Sequence, residues 1–282
     1  MSSCSTCASK DTCSTKDKGC GTQNVSLKVM PKYGEVKNII GIISGKGGVG
    51  KSTVTGLIAT QLAKKGYKVG VLDGDITGPS MPRFFGINNK RAEMLPIDEN
   101  NFKFKPVESN LGVKVMSMNL LTPVEDQPVI WRGPVITGVL NQMYTDTDWG
   151  ELDYLLIDMP PGTGDIALTV MQSFPLKEMI IVSTPQDMVS MIVKKVVIMA
   201  EKMDVKVRGV VENMSYITCD SCDHKIRVFS KKSAEEHAEY LGLPLLAELP
   251  INLDLTEALE EGKAEEYAKE DPLYSLVFEG LY

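Results

Sequence analysis

The fold of this chain is decided by the stretch Ile39-Ile40-Gly41-Ile42-Ile43-Ser44-Gly45-Lys46-Gly47-Gly48-Val49-Gly50-Lys51-Ser52-Thr53. An apolar, β-branched run leads into a glycine-rich loop, and residues 54–63 continue with the composition of a helix. Strand, loop and helix in this order are the context in which G-x-x-x-x-G-K-S/T binds phosphate. We therefore predict a strand at 39–44, a helix at 54–63, and a nucleotide held between them.

The residue types of this loop suit the phosphates of ATP. Glycines let the backbone N–H groups converge on an anion because no Cβ stands in the way. The positive end of the following helix favours the same anion. Lys51 can reach the β- and γ-phosphates, and the Ser52 hydroxyl can bind Mg²⁺. The residues predicted to bind ATP are Gly45, Lys46, Gly47, Gly48, Val49, Gly50, Lys51, Ser52 and Thr53.

A second lysine, Lys46, precedes the inner glycines of the loop. A phosphate cradle within one chain does not need it, so Lys46 could equally be a solvated surface lysine. The run from Lys46 to Thr53 resembles the deviant Walker A loop of the nitrogenase iron protein and septum/partition ATPase class. In that class the early lysine reaches across a dimer to the partner's nucleotide. The resemblance implies a nucleotide-dependent homodimer in which Lys46 and Lys51 are both catalytic.

Length and composition favour one large α/β domain. The chain has 282 residues, 43% of them hydrophobic, which is enough for the core of a doubly wound fold. We predict a P-loop NTPase domain over 37–282, with a mostly parallel sheet flanked by helices on both faces. A net charge of −7 argues against nucleic acid or an anionic membrane as the main partner. No secretory leader or long apolar run is present, so we expect a cytoplasmic protein.

The amino-terminal residues differ in kind from the rest. Residues 1–24 contain no aromatic residue and no Leu, Ile or Val, so they cannot order themselves by burial. We predict a flexible tail and linker over 1–36. The tail nevertheless holds Cys4, Cys7, Cys13 and Cys20. This density of cysteines favours a metal or iron–sulfur site over incidental thiols, without deciding between zinc and iron.

Two aspartates follow predicted strands. Asp75 comes after a strand at 67–73, where it can orient the water that attacks phosphate or act as a turn or cap aspartate. Asp158 ends a strand at 152–158 and is a candidate Mg²⁺ ligand. Residues 159–165 form a proline- and glycine-rich turn suited to a switch that senses the γ-phosphate. Residues 81–110 are predicted to be an irregular insertion.

The second half continues the alternation of strands and helices. Strands are predicted at 178–184, 205–211 and 244–248, and helices at 188–203, 231–241 and 254–268. Asn213 follows one of these strands, where it can read an adenine edge or serve as a turn asparagine. His237 is predicted to be solvated on a charged helix.

One further pair of cysteines, Cys219 and Cys222, lies in a polar loop. One CxxC supplies two ligands, whereas a soft-metal site usually takes four. A homodimer can bring two such pairs together on its axis, or the tail cysteines or His224 can complete a site within one chain. A redox CxxC and a purely structural pair also fit this spacing, although redox pairs typically open a helix early in a βαβ unit. His224, beside a lysine, is expected to be exposed.

These motifs together resemble the Mrp/Nbp35 (ApbC) family of iron–sulfur cluster carrier ATPases over residues 37–282. The motifs that carry the resemblance are Gly45 to Thr53, Asp73-Gly74-Asp75, Gly78-Pro79-Ser80, Trp131-Arg132-Gly133-Pro134, 158–165, Glu212-Asn213-Met214-Ser215 and Cys219-x-x-Cys222. The resemblance implies slow ATP hydrolysis by a homodimer and an adenine contact for Asn213. It also implies a [4Fe–4S] cluster bridging Cys219 and Cys222 of both subunits. A scaffold would donate this cluster, and apo-proteins would receive it.

The tail matches this family incompletely. Cys4, Cys7 and Cys13 look like part of an amino-terminal cluster motif, but the spacer and cysteine expected before them are absent and Cys20 follows instead. Two other functions fit parts of the sequence. One is a positioning ATPase of the septum/partition type, which would need a basic or membrane-seeking surface. The other is a zinc-bridged adaptor in which ATP only sets the dimer.

Overall fold

A computed structural model describes residues 28–76, 78–99, 101–123, 133–219, 221–222 and 224–281. The tail cysteines Cys4, Cys7, Cys13 and Cys20 lie outside the described residues, as do Trp131 and Arg132. Predictions made for these residues therefore stay predictions.

The described residues form alternating strands and helices. The strands are β1 (Tyr33–Ser44), β2 (Val69–Asp73), β3 (Glu93–Pro96), β4 (Phe102–Lys105), β5 (Val107–Glu108), β6 (Lys114–Met116), β7 (Asp148–Asp158), β8 (Glu178–Ser183), β9 (Val207–Glu212), β10 (Ile217–Thr218), β11 (Lys225–Ile226) and β12 (Leu245–Glu248). The helices are α1 (Lys51–Lys64), α2 (Met81–Phe84), α3 (Gly133–Thr145), α4 (Asp165–Ser173), α5 (Asp187–Lys202), α6 (Ala234–Leu241), α7 (Leu253–Glu260), α8 (Ala264–Glu270) and α9 (Pro272–Val277).

The main sheet has the order β12-β9-β8-β1-β7-β2-β6-β5. Every neighbouring pair in it is parallel except β5 and β6. This arrangement confirms the predicted mostly parallel P-loop NTPase sheet. Because parallel strands end at one edge, the residues that close β1, β2, β7 and β9 share that edge. These residues are Ser44, Asp73, Asp158 and Glu212.

The core consists of two apolar layers, one on each face of the sheet. Side chains alternate along β1, so that Ile39 and Ile43 join one layer and Ile40 and Ile42 join the other. The first layer contains residues of α3 to α6, and the second contains residues of α1, α2 and α7 to α9. A parallel sheet covered on both faces needs continuous apolar strands, which explains the run at 39–43.

The first strand is longer than predicted. β1 begins at Tyr33, within residues expected to be linker. The segment Tyr33–Val36 pairs in parallel with β7, from Asp148 to Leu152, and this pairing extends the strand. The strand extension is made by mixed polar residues, so hydrophobic periodicity did not reveal it.

Residues 81–110 are not the irregular insertion that was predicted. They contain α2, the antiparallel hairpin of β3 and β4, and β5. The hairpin is held by cross-strand pairing of Met94 with Phe104, and the rings of Phe102 and Phe104 meet at 5.3 Å. Its polar, proline-containing sequence concealed this pairing.

The predicted helix at 254–268 is two helices, α7 and α8. Gly262 separates them with φ of +70°, a conformation that an L side chain rarely adopts. The break lets the chain approach Gly86, where a Cβ would lie 2.2 Å from the carbonyl oxygen of Gly262.

Candidate functional site

The glycine loop connects the central strand β1 to the amino terminus of α1. Gly50 occupies the N-cap of α1 with φ of 78° and ψ of 26°. A Cβ on Gly50 would lie 2.2 Å from Asn213 Nδ2, so both the backbone angle and the neighbouring side chain require glycine there. The first N–H groups of α1 have no partner within the helix and lie directly after this loop, which is the arrangement that a phosphate site requires.

A cleft of about 260 Å³ lies over this loop. The side chains of Asp75 and Pro161 and residue Gly78 reach it from outside the loop. The remaining lining residues belong to the loop and its flanks: Ser44, Lys46, Gly47, Gly48, Gly50, Lys51, Ser52 and Thr53. The structure thus brings the predicted water-orienting aspartate and the predicted switch segment to the phosphate loop.

Asp158 anchors the base of the cleft. Its carboxylate is fully buried and lies 2.7 Å from the Lys51 ammonium. The Ser52 hydroxyl donates to its Oδ2 at 2.6 Å, and the Thr55 hydroxyl donates to its Oδ1 at 2.9 Å. The three residues predicted to handle phosphate and Mg²⁺ are therefore in direct contact. Thr55 is a partner that the motif did not reveal.

Asp73 is a buried carboxylate to which the sequence motifs assigned no role. It closes β2 and pairs in register with Asp158 at the end of β7. Burial, with a smaller contribution from the charge of Asp158, raises the pKa of the Asp73 carboxyl to about 7, against the opposing effect of Lys51. Its Oδ2 accepts hydrogen bonds from the backbone N–H of Ser80 at 3.1 Å and from the Ser117 hydroxyl at 3.0 Å. The signal was present as a strand-terminal aspartate, but its proximity to Asp158 depends on strand order.

Lys46 is bound by a side chain from outside the loop. Its ammonium donates to Gln186 Oε1 at 2.6 Å, at the N-cap of α5. The Lys46 side chain is therefore bound to a residue of its own chain.

The predicted switch segment is fixed to β1 by its backbone. The Met159 N–H donates to the Ile42 carbonyl at 2.9 Å, and the Gly162 N–H donates to the Ser44 carbonyl at 2.7 Å. The segment therefore runs alongside the end of β1, where the glycine loop begins.

Asn213 contacts the loop itself. Its side-chain amide donates to the carbonyl of Val49 at 3.0 Å, and the residue is buried. The sequence alone left open an adenine contact or a turn role. The structure places the amide against the loop that would hold the phosphates.

Cys219 and Cys222 lie at the tip of a hairpin formed by β10 and β11. The N–H of Cys222 faces the carbonyl of Cys219 at 3.4 Å, which folds the two residues into one turn. Cys219 is half-buried, Cys222 is exposed, and neither is in a disulfide. Exposed His224 meets the expectation made for it. Within the described ranges, no group of three or more His, Cys, Asp and Glu side chains is arranged to hold a metal ion.

The prediction that His237 is solvated is wrong. Only 7% of the residue is exposed, and its Nδ1 lies 2.7 Å from Glu212 Oε2. The inward face of α6 also carries Ala234, Ala238 and Leu241, at the same helical spacing. Charged neighbours on the other face concealed this burial.

A family model and two known proteins match this chain over most of its length. A family model for ParA, described as NUBPL iron-transfer P-loop NTPase, matches residues 35–280. An iron–sulfur cluster carrier protein of Clostridium perfringens is 73% identical over 286 residues, covering both chains completely. One of the same name from Methanocaldococcus jannaschii is 42% identical, over 92% of this chain and 87% of its own.

Solved structures give the same picture. A nucleotide-binding protein from Archaeoglobus fulgidus in complex with ADP matches with a TM-score of 0.72 and 40% identity, over 85% of this chain and 90% of its own. The septum site-determining protein MinD of Pyrococcus horikoshii with Mg-ADP matches with a TM-score of 0.60 and 24% identity, over 88% and 96% of the two chains. The MinD likeness shows a shared fold.

Among the helices described, none combines the length and apolar character needed to cross a bilayer.

Proposed function

This chain belongs to the ParA family of NUBPL-type iron-transfer P-loop NTPases, and from that premise we propose that it is an ATP-hydrolysing carrier of [4Fe–4S] clusters. The observation that carries the proposal is the presence, in one chain, of a phosphate cleft and of two cysteines that lie outside any disulfide at a hairpin tip. The cleft supplies the control by nucleotide, and the thiols supply the cluster ligands.

The contacts of Lys51 support ATP binding with Mg²⁺. Its ammonium lies beside Asp158 and, at 3.4 Å, beside the Ser52 hydroxyl. The phosphates of ATP attract this ammonium, and Mg²⁺ can then take its place next to Asp158 and Ser52. The buried carboxylate keeps a cationic partner throughout, so the exchange avoids an uncompensated buried charge. In this proposal the Asn213 side chain gives up its hydrogen bond to the Val49 carbonyl and binds the edge of the adenine base.

Hydrolysis is assigned to the residues around the cleft. Asp75 orients the attacking water at the γ-phosphate, and the loop N–H groups stabilise the negative charge on the phosphate oxygens. Lys46 leaves Gln186 and reaches the nucleotide of the partner subunit in a homodimer. The 159–165 segment lies against β1 and the cleft, and we propose that it moves with the γ-phosphate and changes the dimer geometry at the cysteines.

The cluster is cargo at the interface of two chains. Cys219 and Cys222 supply two thiolates per chain, and two chains supply the four that a [4Fe–4S] cluster takes. Ligands shared between subunits can open when the subunits move apart, which suits transfer to apo-proteins after loading by a scaffold. Thiolate ligands require a reducing compartment, and we propose that the protein acts in the cytoplasm.

Anaerobic reconstitution with iron and sulfide tests this proposal. We expect iron, sulfide and charge-transfer absorption in the unaltered protein and a clear decrease of all three in Cys222→Ala, in which only the tail cysteines could still bind iron. Ser221→Ala, at an exposed position between the two cysteines, is the matched control and should retain the cluster. Equal iron and sulfide in the unaltered protein and Cys222→Ala would refute a cluster at the hairpin. Stoichiometric zinc without phosphate release from ATP would instead indicate a zinc-bridged adaptor.

A further inference from the structure

Two carboxylates at the carboxyl edge of the sheet are joined by one hydroxyl. Glu212 ends β9, Glu248 ends β12, and the two residues pair in register. Ser215 Oγ lies 2.8 Å from Glu212 Oε1 and 2.7 Å from Glu248 Oε1. A hydroxyl has a single hydrogen, so Ser215 donates to one carboxylate at a time. The Ser215 bridge, in which this hydroxyl joins Glu212 and Glu248, therefore has two alternative arrangements.

On one side this bridge holds the cysteine hairpin. Lys225 and Arg227 follow Cys222 in the chain, and each places a nitrogen 2.8 Å from a different oxygen of Glu248. The Lys225 ammonium also lies 4.1 Å from the centre of the Tyr216 ring. Burial opposes ionisation of Glu248, but the hydrogen bonds from Lys225 and Ser215 lower the pKa of its carboxyl on balance. Glu248 is thus the carboxylate that binds both basic residues following the cysteines and holds the hairpin in place.

On the other side the bridge adjoins the phosphate loop. Glu212 immediately precedes Asn213, whose amide is bound to the Val49 carbonyl. Met214 follows with φ of 54°, in the left-handed region that non-glycine residues rarely occupy. Such a conformation persists only where the surroundings determine it. Residues 212–215 are therefore a tightly specified turn with the loop at one end and the Ser215 bridge at the other.

We infer that Ser215 and Glu248 are positioning residues that transmit nucleotide occupancy from the phosphate loop to the cysteine hairpin of the same chain. The inference rests on the proposed function and adds a route that does not pass through the 159–165 segment. When the Asn213 amide leaves the Val49 carbonyl and binds adenine, the 212–215 turn shifts. The Ser215 hydroxyl then donates to the other of its two carboxylates. The ion pairs of Lys225 and Arg227 with Glu248 then change, and the hairpin that carries the two cysteines moves.

Thiol reactivity in metal-free protein tests this inference without any cluster. The alkylation rates of Cys219 and Cys222 are measured by peptide mass spectrometry, with and without a saturating non-hydrolysable ATP analogue and Mg²⁺. In the unaltered protein we expect the analogue to change a rate by about fivefold or more, a typical allosteric coupling. In Ser215→Ala and Glu248→Gln the change should fall below about twofold. Glu239→Gln removes an exposed carboxylate from the neighbouring α6 and should keep the full effect.

The outcomes separate this inference from the proposed function. Analogue affinity and anaerobic cluster content are measured for every variant. An undiminished nucleotide effect in both Ser215→Ala and Glu248→Gln overturns the inference and leaves the carrier function standing. The same holds if the unaltered protein binds the analogue and the cluster yet shows no effect on either thiol. Failure of the unaltered protein to bind nucleotide or cluster overturns the proposed function itself. If Glu248→Gln does not fold, Ser215→Ala decides, because it removes a single hydroxyl.

Discussion

At the scale of single residues, the proposed function gives Lys51 two successive partners. Its ammonium lies beside buried Asp158, and in the proposed function it moves to the phosphates when ATP binds. We expect Lys51→Ala to lower kcat for ATP hydrolysis about 10²- to 10³-fold, the usual cost of losing one preorganised donor. Lys195→Ala, an exposed lysine on α5, is the control and should leave kcat unchanged. Phosphate release by Lys51→Ala at the unaltered rate would contradict this role.

Asp73 makes a second prediction at this scale. Its carboxylate accepts from three backbone N–H groups and one hydroxyl, all inside the fold. Asp73→Ala orphans these donors and should lower the free energy of unfolding by about 2–4 kcal/mol. Asp73→Asn keeps an acceptor oxygen and removes the repulsion from Asp158, so its loss should be clearly smaller. Urea unfolding measures both, and equal losses would show that the hydrogen bonds are not the cause.

Residue placements that depend on local order were predictable from the sequence, whereas the roles of these residues stay predictions. Lys51, Ser52 and Asp158 were assigned from a loop motif and a strand end, and the structure brings them into contact. The proximity of Asp73 to Asp158 was missed because it requires β2 to lie beside β7. Burial of His237 was missed because Glu212, its partner, belongs to a strand 25 residues earlier in the chain.

At the scale of elements, the β1–α1 loop depends on one glycine for its shape. Gly50→Ala places a Cβ against Asn213 at a positive φ, and we expect it to lower the free energy of unfolding by about 1–3 kcal/mol. Gly47→Ala is the matched control, because a Cβ there meets no atom within 4 Å. Its unfolding free energy should stay within about 0.5 kcal/mol of the unaltered value, as for most exposed substitutions.

The two loop variants are compared by urea unfolding without nucleotide, so that phosphate binding does not contribute. Equal destabilisation by Gly50→Ala and Gly47→Ala would mean that the Asn213 contact does not constrain the loop.

Elements with strong periodicity were predictable, and elements made by pairing were not. The helix at 54–63 and the buried strands at 39–44 and 152–158 all appear, with extended ends. The hairpin of β3 and β4 depends on partners that only the folded chain provides. The same reason explains the early start of β1, whose polar residues pair with β7.

At the scale of the whole molecule, the proposed function requires two chains. The fold class followed from the glycine loop and from strands that are apolar on both faces, because both features can be recognised in short stretches of sequence. The shared cluster site was predicted from the family resemblance and stays a prediction, since one chain contributes two cysteines to the hairpin and a partner's contribution is not encoded in local pattern.

The central claim is that two chains share one cluster through their hairpin cysteines. Native mass spectrometry of the anaerobically reconstituted protein tests it most directly, because the mass counts chains and iron together. Cys4, Cys7, Cys13 and Cys20 are replaced with Ser in all samples, so that the tail contributes no ligand. We predict a species of two chains carrying one [4Fe–4S] cluster, absent from Cys222→Ala. A cluster on a single chain, or the same dimer–cluster mass in Cys222→Ala, would contradict the shared site.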